Sequence, residues 1–357
     1  MELLLLALLV SFFINSILFI PYINLLYKIK FQRQIQKTKD AFGVLTPIFD
    51  KFHKQKAGTP VGGGLLVVIT TLLLFGFLFW ILPFMKGWYQ ITSLYESAIK
   101  DEIKILLFSF TAFAIIGLYD DVKKTFILHK QDVFGLRFRH KLFFEVIISL
   151  LIGYWLYDLL KIDILNIPFF GVVHLGFWYI PFAALVVLWF TNAINITDGL
   201  DGLSTGLLMI ALFAFWVISA AWLDTPLSLF IAILLGGLIS FLYFNIYPAR
   251  IILGDVGALA FGAIFAVIGL ILGKFFTLII IGGIFVLEGL SSLVQLLSKR
   301  FLKKKIVPVA PLHLYFQYIG WEEPKIVMRF WLAGIMLAIF GLLMAFLTAC
   351  NSASGAC

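Results

Sequence analysis

Apolar stretches long enough to cross a bilayer recur ten times along the chain, and that repetition decides what it can fold into. A helix needs roughly 20 apolar residues to span the hydrocarbon core. The stretches cover residues 3–26, 61–85, 103–119, 142–157, 177–194, 203–223, 227–244, 256–272, 275–297 and 326–349. In lipid each backbone N–H and C=O must find its partner within the chain, so such segments become helices. The spacing therefore predicts an all-α polytopic membrane protein of about ten helices. Residues 1–349 read as one transmembrane domain, followed by a short tail over 350–357. Only 13% of residues are charged, against about 25% in a soluble domain. The opening "MELLLLALLVSFFINSILFI" lacks a basic leader and a small-residue cleavage site, so it is expected to stay as a span. The third and fourth stretches are short, and Lys104 is expected to snorkel toward the surface.

The net charge of +8 does not point to nucleic acid, because the basic residues sit in a few loops beside apolar spans. Twenty-two Lys/Arg fall in 28–56, in 123–141, at Arg250 and in 299–329; five fall in the alternate loops. This asymmetry places the first set in the cytoplasm and both termini outside. The segment "KIDILNIPFFGVVHLGFWYIP" has β-branched character around Gly171 and can form a small hairpin on the outer surface. Cys350 and Cys357 lie in a polar tail without metal spacing and read as incidental thiols.

Sidedness has a second consequence. "HKQKAGTPVGGG", "GLYDDVKK", "NAINITDGLDG", "NIYPARIILGDVGA" and "APLHLYFQYIGWEE" all fall on the basic side, so five distant segments can meet at one membrane surface. Asp120 and Asp121 end a span, Asp198 and Asp201 are three apart on one helical face, and Asp255 is flanked by Gly254 and Gly257. Carboxylates beside Lys56, Lys123, Lys124 and His313 suit Mg²⁺ and a phosphorylated ligand. Each has a structural alternative: Asp198 as a helix cap, Asp120 and Asp121 as a solvated helix end, Asp255 as a turn residue. Walker and zinc spacings are absent, which argues against an ATP-driven pump and a soft-metal site. Glu145 and Glu288 lie inside spans, where a carboxylate costs about 3 kcal/mol. Pairing with Lys141, four residues earlier, is the simple account of Glu145; helix packing or a groove lining suits Glu288.

In order and spacing these five segments resemble the motifs of the phospho-N-acetylmuramoyl-pentapeptide transferases, within the polyprenyl-phosphate N-acetylhexosamine-1-phosphate transferase superfamily. The motifs run from about Lys54 to Glu323, and "PLH" followed by "GWEE" leans toward the muramoyl branch. The resemblance implies a bacterial inner-membrane homodimer with a cytoplasmic active site. It also implies the reaction: undecaprenyl phosphate attacks UDP-N-acetylmuramoyl-pentapeptide, giving lipid I and UMP in peptidoglycan synthesis. By matched position, Asp255 would ligate Mg²⁺, and Asp120 and Asp121 would serve the lipid phosphate or the metal. Lys56, Asn195, Asp198, Gly199, Leu200, Asp201, Asn245 and Gln295 would surround the nucleotide, and His313 would lie near the diphosphate.

The chain departs from the family pattern in places. A histidine triplet is reduced to His313, Leu314 and Tyr315; Ile252 replaces a phenylalanine that stacks on uracil; Val61 replaces a threonine; "GDVGA" replaces "GDTGS". These changes touch the nucleotide and sugar pocket and leave the acidic apparatus intact. A related transferase using another UDP-N-acetylhexosamine is therefore the alternative within the same chemistry. A lipid or solute transporter is the alternative of another class, since Glu288 and glycine-rich breaks suit one.

Overall fold

The computed structural model describes residues 1–33, 56–81, 96–127 and 138–352. The first basic loop from 34 to 55, the far end of the second span, the loop at 128–137 and Cys357 lie outside the described residues. The helices are α1 (Glu2–Lys28), α2 (Gly63–Ile81), α3 (Glu96–Val122), α4 (Phe138–Asp158), α5 (Tyr179–Thr197) and α6 (Leu203–Ala221). They continue as α7 (Thr225–Asn245), α8 (Gly254–Ile271), α9 (Phe275–Ile281), α10 (Gly283–Phe301), α11 (Leu312–Tyr318) and α12 (Glu323–Ser352). Among the described residues nine helices are long and apolar enough to cross a membrane, or ten when the bent pair α9–α10 is counted as one span. The chain is a multi-pass helical membrane protein.

α8 is the centre of the bundle. Every residue from Val256 to Leu270 is buried, as expected of a helix that is apolar on all sides. It packs against α2, α3 and α5, and small residues bring the backbones together. A Cβ on Gly64 of α2 would overlap the Gly257 backbone, and one on Gly117 of α3 would overlap the Asp255 carbonyl. Gly262 lies 2.6 Å, by the same measure, from the Thr191 Cα of α5. These crossings gather the ends of α2, α3 and α5 at the start of α8, which is where the acidic motifs sit.

Several helices outrun their hydropathy. α3 begins at Glu96, several residues before its apolar stretch, and Lys104 rests over the Trp155 ring at 4.5 Å. α12 runs to Ser352, past the expected end of the transmembrane domain. The hairpin forms as an antiparallel pair, β1 (Ile164–Ile167) with β2 (Gly171–His174), in the register Ile167 to Gly171.

The ninth span corrects the sequence reading, which takes 275–297 as one helix. α9 and α10 meet at 81° across Gly282. There a Cβ would come 2.6 Å from Phe190 and 2.9 Å from Phe265, so the turn is tight enough to need a glycine. The break directs α10 along α5 and brings Glu288 against the first turn of α11, which carries His313.

Candidate active site

Asp255 stands in the first turn of α8, and its backbone is fixed from two sides. Gly254 holds φ +81°, a left-handed conformation open to glycine at little cost. Asp121, at the end of α3, accepts the N–H groups of Asp255 and Val256, each at 3.0 Å. One carboxylate thus satisfies two of the free donors that open a helix. Asp120 points elsewhere, as successive helical residues must. Its Oδ2 lies 3.0 Å from the Lys124 ammonium and 3.5 Å from that of Lys141. The same two ammoniums meet Asp255 Oδ2 at 2.9 and 2.6 Å. Lys124 lies in a π-helical turn, Lys123–Ile127, that prolongs α3; Lys141 comes from the first turns of α4.

Lys141 is therefore not the partner expected for Glu145. Glu145 is fully buried and takes a hydrogen bond from Asn192 Nδ2 at 2.7 Å. Lys141 instead turns to Asp255 and Asp120, at 2.6 and 3.5 Å.

The donor set can be tested against the expected Mg²⁺. Among the described residues no three His, Cys, Asp or Glu side chains group in a metal-holding arrangement. Asp120 and Asp255, however, meet side chain to side chain between two lysines. Mg²⁺ usually takes one or two carboxylates and completes its shell with water and phosphate oxygens. Asp120 and Asp255 fit that mode, while both oxygens of Asp121 are engaged by backbone donors.

A second cluster adjoins the first. Lys56 Nζ reaches Asp201 Oδ1 at 2.7 Å, Glu323 Oε1 at 2.6 Å and the Gly199 carbonyl at 3.2 Å. Asp201 Oδ2 accepts the Ala249 N–H at 2.9 Å, and the Asp201 N–H donates to Glu323 at 2.6 Å. Gly199 lies so close to His313 that a Cβ there would overlap the ring at Nε2. Glu288 holds His313 from behind, through the backbone N–H and through Nδ1, each at 3.0 Å.

Asp198 follows the last turn of α5 and does not cap the next helix, whose N-cap is Gly202. Burial drives its carboxyl well above the usual range; Lys56 and Arg33 pull it down, and Asp255 and Asp201 push it further up. Those four charges tie the two clusters together around Asp198.

The remaining expected residues hold the frame. Asn245 Oδ1 accepts the Gly202 N–H at 3.1 Å, and its Nδ2 donates to the Ile251 carbonyl at 2.9 Å. Gln295 ties the loop after α10 through Val307 O at 2.7 Å and Ile306 N–H at 3.2 Å. Ile252 forms a parallel bridge with Val61, leading into Gly62 and Gly63. Leu200 is buried, and Asn195 is half-buried near the end of α5.

Known proteins match this chain over nearly its whole length. The sequence model of Glycosyl transferase family 4 matches residues 103–273. A phospho-N-acetylmuramoyl-pentapeptide-transferase of Clostridium beijerinckii is 35% identical over 340 residues, which cover 94% of this chain and 95% of that protein. The protein of the same description from Clostridium novyi is 34% identical over 345 residues, 96% of this chain and 97% of its own. The chain belongs to the phospho-N-acetylmuramoyl-pentapeptide-transferase family. That of Acetivibrio thermocellus is 34% identical over 295 residues, 82% of this chain and 83% of its own.

Placed in this family, the chain shows four charged neighbours of the expected residues whose pairing was not read from the sequence; Glu323 closes the last motif, and the other three lie outside the quoted motifs. Lys141 binds Asp255, Glu323 binds Lys56, Glu288 orients His313, and Arg33 faces Asp198, Asp201 and Asp255. Arg33 had one signal, a basic residue just past the first span; its strand-like pairing through Thr59 and Gly58 puts it beside Lys56.

Proposed function

We propose that this chain moves phospho-N-acetylmuramoyl-pentapeptide from its UDP-linked donor to undecaprenyl phosphate, releasing UMP and forming lipid I in peptidoglycan synthesis. The reading places the reaction at the cytoplasmic face of the bacterial inner membrane, in a homodimer that uses Mg²⁺. One observation carries it: Asp120 and Asp255, bound to Lys124 and Lys141, stand beside the Lys56–Asp201–Glu323 cluster and His313.

The chemistry exchanges one phosphoanhydride for another. An oxygen of the lipid phosphate bonds to the β-phosphorus of the donor, the bond from that phosphorus to the bridging oxygen breaks, and the electron pair leaves with UMP. No outside energy is demanded, and the catalyst's task is to position anions and offset their charge. Mg²⁺, when bound at Asp120 and Asp255, supplies positive charge to the phosphate oxygens. Lys124 and Lys141 meet the same oxygens as point charges. His313, oriented by Glu288, presents Nε2 beside Gly199, where a diphosphate can be met. A phosphate monoester is largely ionised near neutral pH, so Asp120 needs only to position the nucleophile. Glu288, which suited a transporter, is instead spent on His313.

Purified protein with undecaprenyl phosphate, Mg²⁺ and a panel of radiolabelled UDP-sugars tests this. UMP release with the muramoyl-pentapeptide donor and a labelled lipid product are the expected results. Release with UDP-N-acetylglucosamine alone would move the substrate assignment, and no UMP from any donor would end the transferase reading.

A further inference from the structure

The cluster at Asp120 and Asp255 gathers three carboxylates around two lysines. Asp120, Asp121 and Asp255 stand against Lys124 and Lys141. Glu145 adds a fourth carboxylate. It lies one helical turn beyond Lys141 on α4, is fully buried, and feels the charges of Lys141, Asp255 and Asp120. Its Oε2 is held by Asn192, whose amide also donates to the Leu188 carbonyl at 3.0 Å. Its Oε1 is buried and has no hydrogen-bond partner among the described residues.

Such an atom is expensive. A buried acceptor without a donor costs roughly 1–3 kcal/mol, and more when charged. The neighbours explain only half of the side chain, because Asn192 uses one oxygen and Lys141 is committed to Asp255 and Asp120. Glutamine would accept the same hydrogen bond from Asn192 without placing a charge inside α4. What the carboxylate adds over the amide is a negative charge, which interacts with those of Asp255 and Asp120, and a second oxygen acceptor that no donor has taken. Both favour a hydrated divalent cation, which keeps several of its waters and needs acceptors for them.

We propose that Glu145 tightens the binding of the divalent cation at Asp120 and Asp255, by its charge and by offering Oε1 to a cation-borne water. The inference rests on the metal reading given above. Glu145 is a positioning residue: it acts on the cation through field and water, while Asp255 would touch it. Groups that orient or support metal ligands from outside typically account for 10–100-fold in affinity.

Manganese binding by electron paramagnetic resonance, on protein purified in detergent, tests the idea without turnover. Glu145→Gln keeps an acceptor for Asn192 and is expected to raise the Mn²⁺ dissociation constant about tenfold. The Mg²⁺ concentration that half-saturates turnover is expected to rise by the same factor. Glu145→Met, which leaves Asn192 its bond to Leu188, serves as the second variant should the amide impair folding. Asp255→Asn is the control. If Asp255→Asn abolishes Mn²⁺ binding while both Glu145 variants bind like the parent, this inference is overturned and the metal reading stands. If Asp255→Asn also binds Mn²⁺ normally, the metal reading itself is wrong.

Discussion

Glu288 grips His313 at two points, taking its backbone N–H on Oε1 and meeting ring Nδ1 with Oε2, each at 3.0 Å. Both residues are almost wholly buried, and they lie 25 positions apart on α10 and α11. Nδ1–H therefore donates inward, and Nε2 is aimed at Gly199. Glu288→Ala leaves both donors without an acceptor and is expected to cost roughly 1–3 kcal/mol for each, read as a lower unfolding temperature in detergent. Glu288→Gln keeps an acceptor for the backbone but replaces the charged acceptor facing ring Nδ1 with a neutral amide. It is expected to lower turnover while unfolding near the parent temperature; parental turnover would show that the charge on Glu288 is irrelevant.

Asp121 and Asp255 are expected to fail differently. Asp121 caps α8 with both oxygens, so Asp121→Ala should lose about 1–2 kcal/mol of stability and move Asp255, lowering activity indirectly. Asp255→Ala should abolish UMP release while the protein remains inserted and folded. Paired measurements of thermal unfolding and UMP release separate the two. An Asp121→Ala protein that unfolds at the parental temperature would remove the capping role.

Much of this was legible before any coordinates. The spans, and the meeting of five motifs at one end of the bundle, follow from hydropathy and the order of the loops, because lipid leaves the backbone few choices. The roles within the motifs were less so. Neighbouring Asp120 and Asp121 look alike in sequence, yet one faces lysines and the other caps a helix. Gly282 sits in an unbroken apolar run, and hydropathy carries no direction, so the 81° turn was invisible. Glu145 offered a local partner four residues away; only packing against α5 shows that Asn192 takes it. Glu323 and Lys56 are 267 positions apart, and no local pattern links them.

That long-range pair makes its own prediction. The Lys56 side chain is 11% exposed, Asp201 8% and Glu323 11%. Removing one partner from a buried ion pair typically costs 3–5 kcal/mol, since the other charge is stranded. Lys56→Met strands two carboxylates and should destabilise by about that much, and it should raise the KM for the UDP-linked donor more than that for the lipid phosphate. Glu323→Gln still offers an acceptor to the Asp201 N–H and leaves Lys56 bound to Asp201, so about 1 kcal/mol is expected. Equal losses in the two variants would contradict the arrangement.

Asp198 gives the pH dependence. Burial, ahead of the opposing Lys56 and Arg33 and with Asp255 and Asp201 adding to it, raises its carboxyl well above the ordinary range. A carboxyl whose folded pKa is raised contributes stability that is complete below the unfolded value near 4 and is lost as pH climbs through the folded value. Between those two values the slope for one group is about 1.4 kcal/mol per pH unit. Asp198→Asn carries no proton to lose, so the variant should gain on the parent as pH rises, with little difference near pH 4 and the largest gap on the alkaline side. Unfolding temperatures of both proteins across pH 5 to 8 read the gap directly. The parent tolerates the cost because a carboxylate at the junction of the two clusters can meet donor groups that an amide cannot match in charge. The more stable variant should accordingly bind the nucleotide donor less well. A gap that stays constant with pH would mean that Asp198 titrates alike in the folded and unfolded chain.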